Sequence, residues 1–329
     1  MKSQVKLFLI QLLFDKKITF FPNIDNEEFW NTLVKLSSAQ IIVPAVFFKL
    51  KQRDLLDKIP NELNQYLQNI YSLNESRNKV LVDELTFIEN ELNINNIDFV
   101  FLKGSYLLRT IYSKNIGIRM MHDIDILIEK NQIQTAKKIF LKLNYCNNNF
   151  DYKILGSKKH IPRLVNKNKN IGIELHFKLT DRKKNFFDNE NLLKNKFKSH
   201  LSLKNNLNHL ILNSELNDKG ALLGKIFLRS IFDFFNLNDG NHFDFDKHFY
   251  SKVFYNKLYY LKIVSAKENL NYFYLSYLLV INTKFGRIIP FLFLKILKLK
   301  FIPKKSNEYV INLKYRKKVH KTIKSYFGK

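Results

Sequence analysis

The stretch "LKGSYLLRTIYSKNIGIRMMHDIDILI" runs from Leu102 to Ile128 and holds the features that decide the fold. It begins at the end of a short apolar run, "IDFVFLKG", which is typical of a buried strand that stops at Gly104. A helical pattern, "SYLLRTIY", follows and starts at Ser105, a residue type that favours helix N-caps. The stretch ends in "HDIDILI", whose apolar run predicts a second strand over residues 123–128.

Two carboxylates, Asp123 and Asp125, stand two positions apart in this second strand. Residues i and i+2 of a strand project to the same face, so the two acids project together. Like charges at this spacing are costly without compensation, and a divalent cation supplies it. Mg²⁺ prefers carboxylate oxygens and commonly works with substrate phosphates. The pattern therefore predicts a Mg²⁺ site, although two solvated acids on an edge strand would explain it equally.

A third strand is predicted over residues 171–178, "IGIELHFK", where apolar and polar side chains alternate. The apolar face holds Ile171, Ile173, Leu175 and Phe177, and the other face holds Gly172, Glu174, His176 and Lys178. We expect Glu174 to complete a trio of carboxylates with Asp123 and Asp125 if the strands share one sheet. An exposed strand glutamate is the plain alternative.

Outward from this region the chain changes character. Residues 1–93 and 186–329 carry helical periodicity, while residues 94–185 alternate between short strands and helices. The sequence therefore predicts an α+β fold, with a small mixed β-sheet core flanked by N-terminal and C-terminal helical regions. We expect three units, 1–93, 94–185 and 186–329.

The net charge of +26 is concentrated at the C-terminus. The last 46 residues, 284–329, hold fourteen Lys and Arg and one acid, Glu308. Such a tail favours an anionic neighbour, for which RNA, acidic lipid and a phosphorylated substrate stay open.

The cysteine count and the apolar segments limit the class of protein. A single cysteine, Cys146, excludes an intramolecular disulfide and a multi-cysteine zinc site, and it fits a cytoplasmic location. The most apolar stretch is broken by Lys284, Arg287 and Pro290, so no transmembrane helix is predicted. The N-terminal segment indicates an amphipathic helix rather than a signal peptide.

The order of these motifs resembles the nucleotidyltransferase superfamily of DNA polymerase β, and within it the uncharacterised bacterial nucleotidyltransferase-like family. Members of that family look like "LKG..L....Y......R...DIDLLV" followed by "[DE]-L-H-W". This chain has the quoted Leu102–Ile128 stretch and then "IELHF", with Phe177 in place of Trp. The 17 residues between Ser105 and Asp123 also fit this branch. The resemblance covers about residues 25–240, including "LRSIFDFF".

The resemblance implies transfer of a nucleoside monophosphate from an NTP, with ATP expected, to an acceptor hydroxyl. It implies two Mg²⁺ ions, with Mn²⁺ as the alternative, held by Asp123, Asp125 and Glu174 as catalytic metal ligands. Glu174 would bind the ion next to the acceptor or take the proton of its hydroxyl. The Gly104–Ser105 turn would cradle the triphosphate.

Further triphosphate contacts are expected from Lys103, Arg119 and His176, by their positions beside these motifs. His160 is a weaker candidate, and an exposed salt bridge would explain Arg229 and Asp233 without catalysis. The acceptor stays open among a small molecule, a protein and RNA. Two other functions also stay open: an inactive binding module with this fold, and a basic RNA- or membrane-associated scaffold.

Overall fold

The computed structural model describes residues 2–14, 16–147, 159–180, 187, 189–194, 196, 199–239, 249–267, 269–281 and 283. The helices are α1 (Lys2–Leu13), α2 (Glu27–Ala39), α3 (Val43–Gln52), α4 (Asn61–Ile94), α5 (Lys103–Arg109), α6 (Ile133–Lys142), α7 (Asn189–Lys194), α8 (Leu203–Leu212), α9 (Gly220–Leu223), α10 (Leu228–Asn238), α11 (Phe249–Tyr260) and α12 (Tyr272–Ile281). The strands are β1 (Phe99–Leu102), β2 (Asp123–Ile128), β3 (Cys146–Asn147), β4 (Leu164–Asn166) and β5 (Ile171–His176). Short 3-10 turns cover Leu56–Lys58 and Ile116–Ile118, and a π-helix covers Asn213–Asn217.

The N-terminal helices follow local signals in the sequence. Helix α2 begins after Asn26, whose side-chain oxygen accepts the amide of Phe29 at 3.1 Å, and Glu27 and Glu28 lie in its first turn. Both features stabilise a helix N-terminus. Helix α4 is 34 residues long and buries one apolar row, which includes Leu81, Leu85, Ile88 and Leu92. The predicted helical character of residues 1–93 is confirmed in the described part of that range.

The five strands form one mixed sheet in the order β1-β2-β5-β4-β3. Strand β2 runs parallel to β5 and antiparallel to β1, and β4 runs antiparallel to both of its neighbours. The three predicted strands, β1, β2 and β5, therefore lie side by side, with β1 at one edge of the sheet. The α+β fold with helical flanks is confirmed.

The two faces of β2 have different surroundings. Ile124 and Ile126 are buried in the main apolar core, which also takes in residues of α1, α4 and α11. Leu127 projects to the other face, into a smaller cluster with Val100 and Leu102. The main core contains residues from all three predicted units. The boundaries between these units, at residues 93 and 185, stay a prediction.

The predicted start of α5 is corrected by the structure. The helix begins at Lys103 after Leu102, and Ser105 lies inside its first turn instead of at the N-cap. Lys103 has a φ of 50°, a left-handed conformation that is uncommon for a residue other than glycine. Ser105 is fully buried and its hydroxyl is bonded to β2, so it is not available as a cap.

Among the described residues, no helix combines the length and the apolar character that crossing a membrane requires. The basic tail, residues 284–329, lies outside the described residues.

Candidate functional site

Asp125 and Glu174 lie opposite each other on neighbouring parallel strands. They are register partners in the β2–β5 ladder, as are Asp123 and Gly172. Since side chains alternate between faces, these residues and His176 all project from the face opposite the main core. Parallel pairing thus brings carboxylates that are 49 positions apart in the chain to the same place.

His176 joins the two carboxylates in a compact cluster. Its Nε2 atom lies 2.9 Å from Asp125 Oδ1 and 3.5 Å from Glu174 Oε2. One ligand atom from each of the three side chains falls within 4.8 Å of the others. Carboxylate oxygens suit Mg²⁺ and Mn²⁺, and an imidazole nitrogen is a common ligand of transition metals. The donor set therefore fits a divalent cation.

Lys103 neutralises part of the negative charge of this cluster. Its Nζ atom donates to Asp125 Oδ1 at 2.7 Å. Burial opposes the charge on Lys103, but attraction to Asp125, Glu174 and Asp123 raises its pKa overall. Burial likewise favours the neutral form of Asp125, yet Lys103 and His176 hold the pKa of Asp125 well below its usual value. The two side chains form a mostly buried ion pair.

Asp123 lies at the rim of the cluster in a different environment. Its Oδ2 atom is 3.8 Å from Arg163 Nη1, and burial together with Asp125 and Glu174 raises its pKa. Arg163 lies across Gly172, where a Cβ atom would stand 2.1 Å from its Nε. The absence of a side chain at Gly172 therefore gives Arg163 room beside Asp123.

The Gly104–Ser105 segment lies directly against β2. The Ser105 hydroxyl accepts the amide of Asp125 at 3.0 Å, which fixes the strand at the position of the carboxylate. A Cβ atom at Gly104 would stand 2.5 Å from Nη1 of Arg119 and 3.1 Å from the sulfur of Met121. Gly104 thus permits the chain before β2 to approach the start of α5.

Arg119 lies beside this segment, and its guanidinium is already paired. Its Nη2 atom is 2.9 Å from Asp233 Oδ2, and its Nε atom is 3.0 Å from the same oxygen. Asp233 is 1% exposed and also accepts the hydroxyl of Tyr112 at 3.0 Å. The expected exposed salt bridge between Arg229 and Asp233 is therefore wrong, because Asp233 faces inward and pairs with Arg119.

His160 stands next to the cluster. Its Nδ1 atom donates to the carbonyl oxygen of Ile161 at 2.8 Å, and its Nε2 atom lies 3.8 Å from Glu174 Oε2. The rings of His160 and His176 are 5.0 Å apart. Burial lowers the pKa of His160, so its Nε2 carries a lone pair near neutral pH. The neutral ring thereby presents an acceptor atom towards Glu174.

Several residues near the site had no local sequence signal. They are Arg163, His209 and Asp218. Burial lowers the pKa of His209, and the charges of Lys103 and His176 add to the effect. His209 lies in α8, so this helix is near the site. These contacts depend on long-range packing, so the spacing of the residues along the chain gave no indication of them.

A cavity of about 610 Å³ lies elsewhere, between the π-helix, α9, α11 and α12. Its walls are largely aromatic and include Tyr250, Phe273 and Tyr274, and Glu215 at its edge is paired with Lys257. No member of the Asp125 cluster lines it. The cavity is therefore separate from the cluster.

A family model described as an uncharacterised nucleotidyltransferase matches residues 26–251. That range contains every residue of the cluster and the whole described sheet. No curated protein and no solved structure matches the chain.

Proposed function

Because the match covers more than half of its length, the chain belongs to the uncharacterised nucleotidyltransferase family, and we propose that it transfers a nucleoside monophosphate from an NTP to an acceptor hydroxyl. The observation that carries the proposal is the pairing of Asp125 and Glu174 on adjacent parallel strands, with His176 beside them. In the reaction, the acceptor oxygen forms a bond to the α-phosphorus. The bond from that phosphorus to the pyrophosphate oxygen breaks, and the hydroxyl proton is released.

Asp125 and Glu174 are proposed as metal ligands, with Asp123 for a second ion and His176 as a further donor. Two bound Mg²⁺ or Mn²⁺ ions would stabilise the charge on the attacking and leaving oxygens. The carboxylates need to be ionised for this role. Although burial opposes it, the hydrogen bond from His176 lowers the pKa of Glu174 to about 2. So low a pKa makes Glu174 a poor proton acceptor and favours the role of ligand.

The phosphates of the nucleotide are proposed to approach the first turn of α5. Arg119 and Met121 occupy the side of Gly104 where a Cβ atom would lie, and Ser105 and Lys103 flank Gly104 in the chain. The ammonium of Lys103 binds Asp125 in the free protein. In the complex it would also attract the phosphates of the nucleotide. Arg119 stays a predicted phosphate contact, although its pair with Asp233 engages most of its donors.

The acceptor is proposed only as a hydroxyl compound, and the basic tail favours one with negative charge. ATP as the preferred NTP, the contact of the tail with RNA or anionic lipid, and the cytoplasmic location stay predictions. An inactive nucleotide-binding module is the alternative function, and the following experiment separates it from an enzyme.

The test is incubation of the purified protein with each of the four NTPs and Mg²⁺ or Mn²⁺. Pyrophosphate release and intact mass are followed, and candidate acceptors are added in turn. We expect metal-dependent NTP binding and pyrophosphate release that the Glu174→Gln variant lacks. The matched control is Glu89→Gln, since Glu89 forms an ion pair with Arg109 outside the cluster.

Each outcome has a defined meaning. Metal-dependent NTP binding without pyrophosphate release, across all acceptors, would support the binding-module alternative. Absence of NTP binding with both metals would contradict the proposed function. Equal loss of activity in Glu174→Gln and Glu89→Gln would show that the effect is not specific to the cluster.

A further inference from the structure

Arg229 is a half-buried cation with one hydrogen bond in the described part of the chain. It lies in the first turn of α10. Its Nη1 atom makes a long contact of 3.4 Å to the carbonyl oxygen of Met120. Within the described part of the chain, Nε and Nη2 have no hydrogen-bond acceptor, and no carboxylate lies within 4.0 Å of the guanidinium. Neither atom is among the buried polar atoms without a partner, so both are accessible to an anionic ligand.

The location of Arg229 is next to the proposed site. Met120, whose carbonyl it contacts, lies three residues before the start of β2, and Arg119 contacts the same carbonyl at 3.3 Å. Burial and the neighbouring Arg119 lower the pKa of Arg229, while the carboxylates of Asp233, Asp218 and Asp123 raise it. Arg229 is therefore within electrostatic reach of Asp123, a proposed metal ligand.

The neighbouring arginine has a different role. Arg119 directs Nε and Nη2 at Asp233, which lies four residues after Arg229 on the same helix. This buried pair attaches α10 to the segment that leads into β2. Arg119 and Asp233 thus hold Arg229 against the segment that leads into β2, and they leave its Nε and Nη2 atoms without an acceptor.

We propose that Arg229 binds the β- and γ-phosphates of the nucleotide and that Arg119 positions it; this rests on the proposed function. A guanidinium presents its N–H groups in a planar fork that matches phosphate oxygens. When the bond between the α-phosphorus and the bridging oxygen breaks, negative charge builds up on the departing pyrophosphate. Donors of Arg229 placed there stabilise that charge.

The experiment measures binding of inorganic pyrophosphate, ATP and AMP to the full-length protein by calorimetry. Ca²⁺ replaces Mg²⁺ so that turnover is slow. We expect Arg229→Gln to weaken pyrophosphate and ATP binding by about 10-fold or more, the usual effect of a lost charge-assisted hydrogen bond. AMP, which lacks the β- and γ-phosphates, should change by less than about twofold on the same reasoning. Arg229→Lys should fall between the parent and Arg229→Gln, because it keeps the charge and loses the fork.

Arg77→Gln is the matched control. Arg77 also makes a single contact of 3.4 Å, from Nη2 to the carbonyl oxygen of His122, in the same segment before β2. The control should bind pyrophosphate like the parent. If both glutamine variants weaken binding equally, loss of any nearby positive charge explains the effect and the inference fails.

The remaining outcomes separate the inference from the proposed function. If the parent binds ATP and pyrophosphate and Arg229→Gln binds them equally well, the inference alone is overturned. If Arg229→Gln weakens AMP as much as pyrophosphate, the phosphates recognised are not β and γ, and the inference is also overturned. If the parent binds neither ATP nor pyrophosphate, both the proposed function and the inference are contradicted. Should Arg229→Gln fail to fold, Arg229→Lys decides between these outcomes.

Discussion

Asp123 and Asp125 lie on the same face of β2, yet their surroundings act on their charges in opposite directions. The pKa of Asp123 is raised by burial and by the neighbouring carboxylates. The pKa of Asp125 is lowered overall, because Lys103 and His176 outweigh burial. Like-charge repulsion, the effect expected from the sequence, therefore adds to burial at Asp123, whereas attraction to Lys103 and His176 prevails at Asp125.

The metal-free protein should respond differently to loss of each charge. Asp123→Asn should raise the free energy of unfolding by up to about 1 kcal/mol, because the folded state disfavours that charge. Asp125→Asn should lower it by about 2–3 kcal/mol, because Lys103 loses its mostly buried partner. Urea unfolding at pH 7 in the presence of EDTA measures both values. Shifts of the same sign would contradict this account of Lys103.

His209 predicts a pH dependence of stability. It is 3% exposed, and burial with help from Lys103 and His176 holds its pKa well below the usual value. The unfolded chain takes up a proton at His209 near pH 6.5, whereas the folded protein resists it until much lower pH. The stability contribution is therefore complete above about pH 6.5 and is lost as the pH falls towards the folded pKa.

His209→Gln removes this titration. Between pH 7 and 5, the parent should lose about 1–2 kcal/mol more stability than the variant. Urea unfolding at half-unit pH intervals checks the difference in slope. Parallel curves for the two proteins would show that His209 is protonated as readily in the folded state as in the unfolded chain.

At the scale of elements, the long helix α4 positions the segment that leads into β2. The Asn78 side chain donates to the carbonyl oxygens of Ile116 and Arg119, at 2.5 and 2.8 Å, and Asn74 donates to that of Gly117 at 2.7 Å. Both asparagines are buried on the packed face of α4. They satisfy carbonyl groups of the 3-10 turn and of the residue after it, which would otherwise be buried without partners.

Asn78→Ala should therefore cost about 1–3 kcal/mol of stability, because two carbonyl groups lose their donor. It should also weaken metal binding at Asp125, since the turn fixes the start of β2. Thermal unfolding and Mn²⁺ titration measure the two effects. Asn95→Ala is the control, as it loses one 2.8 Å bond to Glu91 on an exposed surface. Equal effects of the two variants would contradict a specific role for Asn78.

At the scale of the whole molecule, the proposed site and the basic tail are separate along the chain. The family match ends at residue 251, and the residues proposed for the site lie between Lys103 and Arg229. The tail carries a large excess of positive charge, which raises the local concentration of an anionic partner in a salt-dependent way.

Deletion of residues 304–329 should leave the affinity for Mg-ATP and the melting temperature unchanged. It should weaken binding to an anionic acceptor, RNA or anionic vesicles, and the difference should shrink at high salt. Lost ATP binding at unchanged stability would contradict the separation of the two functions. Equal binding of RNA and vesicles by both proteins would show that the charge of the tail does not serve them.

The sequence by itself determined the three strands β1, β2 and β5, the face on which the acids lie and the family, whereas β3 and β4 were not predicted. Strand alternation at Asp123, Asp125 and Glu174 is a local property with a period of two, so it can be predicted without knowing the fold. The order of the Gly-Ser turn, the two-carboxylate strand and the "IELHF" strand was equally visible. Each of these features depends on residues that are near one another in the chain.

Only the tertiary structure decided which charges compensate one another. The pairing of Lys103 with Asp125, of Arg119 with Asp233, and the free donors of Arg229 join parts of the chain that are far apart in sequence. Electrostatic energy depends on the distance between charges and on burial, and neither follows from local periodicity. The sequence therefore located the carboxylates, and the fold determined how Lys103, His176 and the arginines surround them.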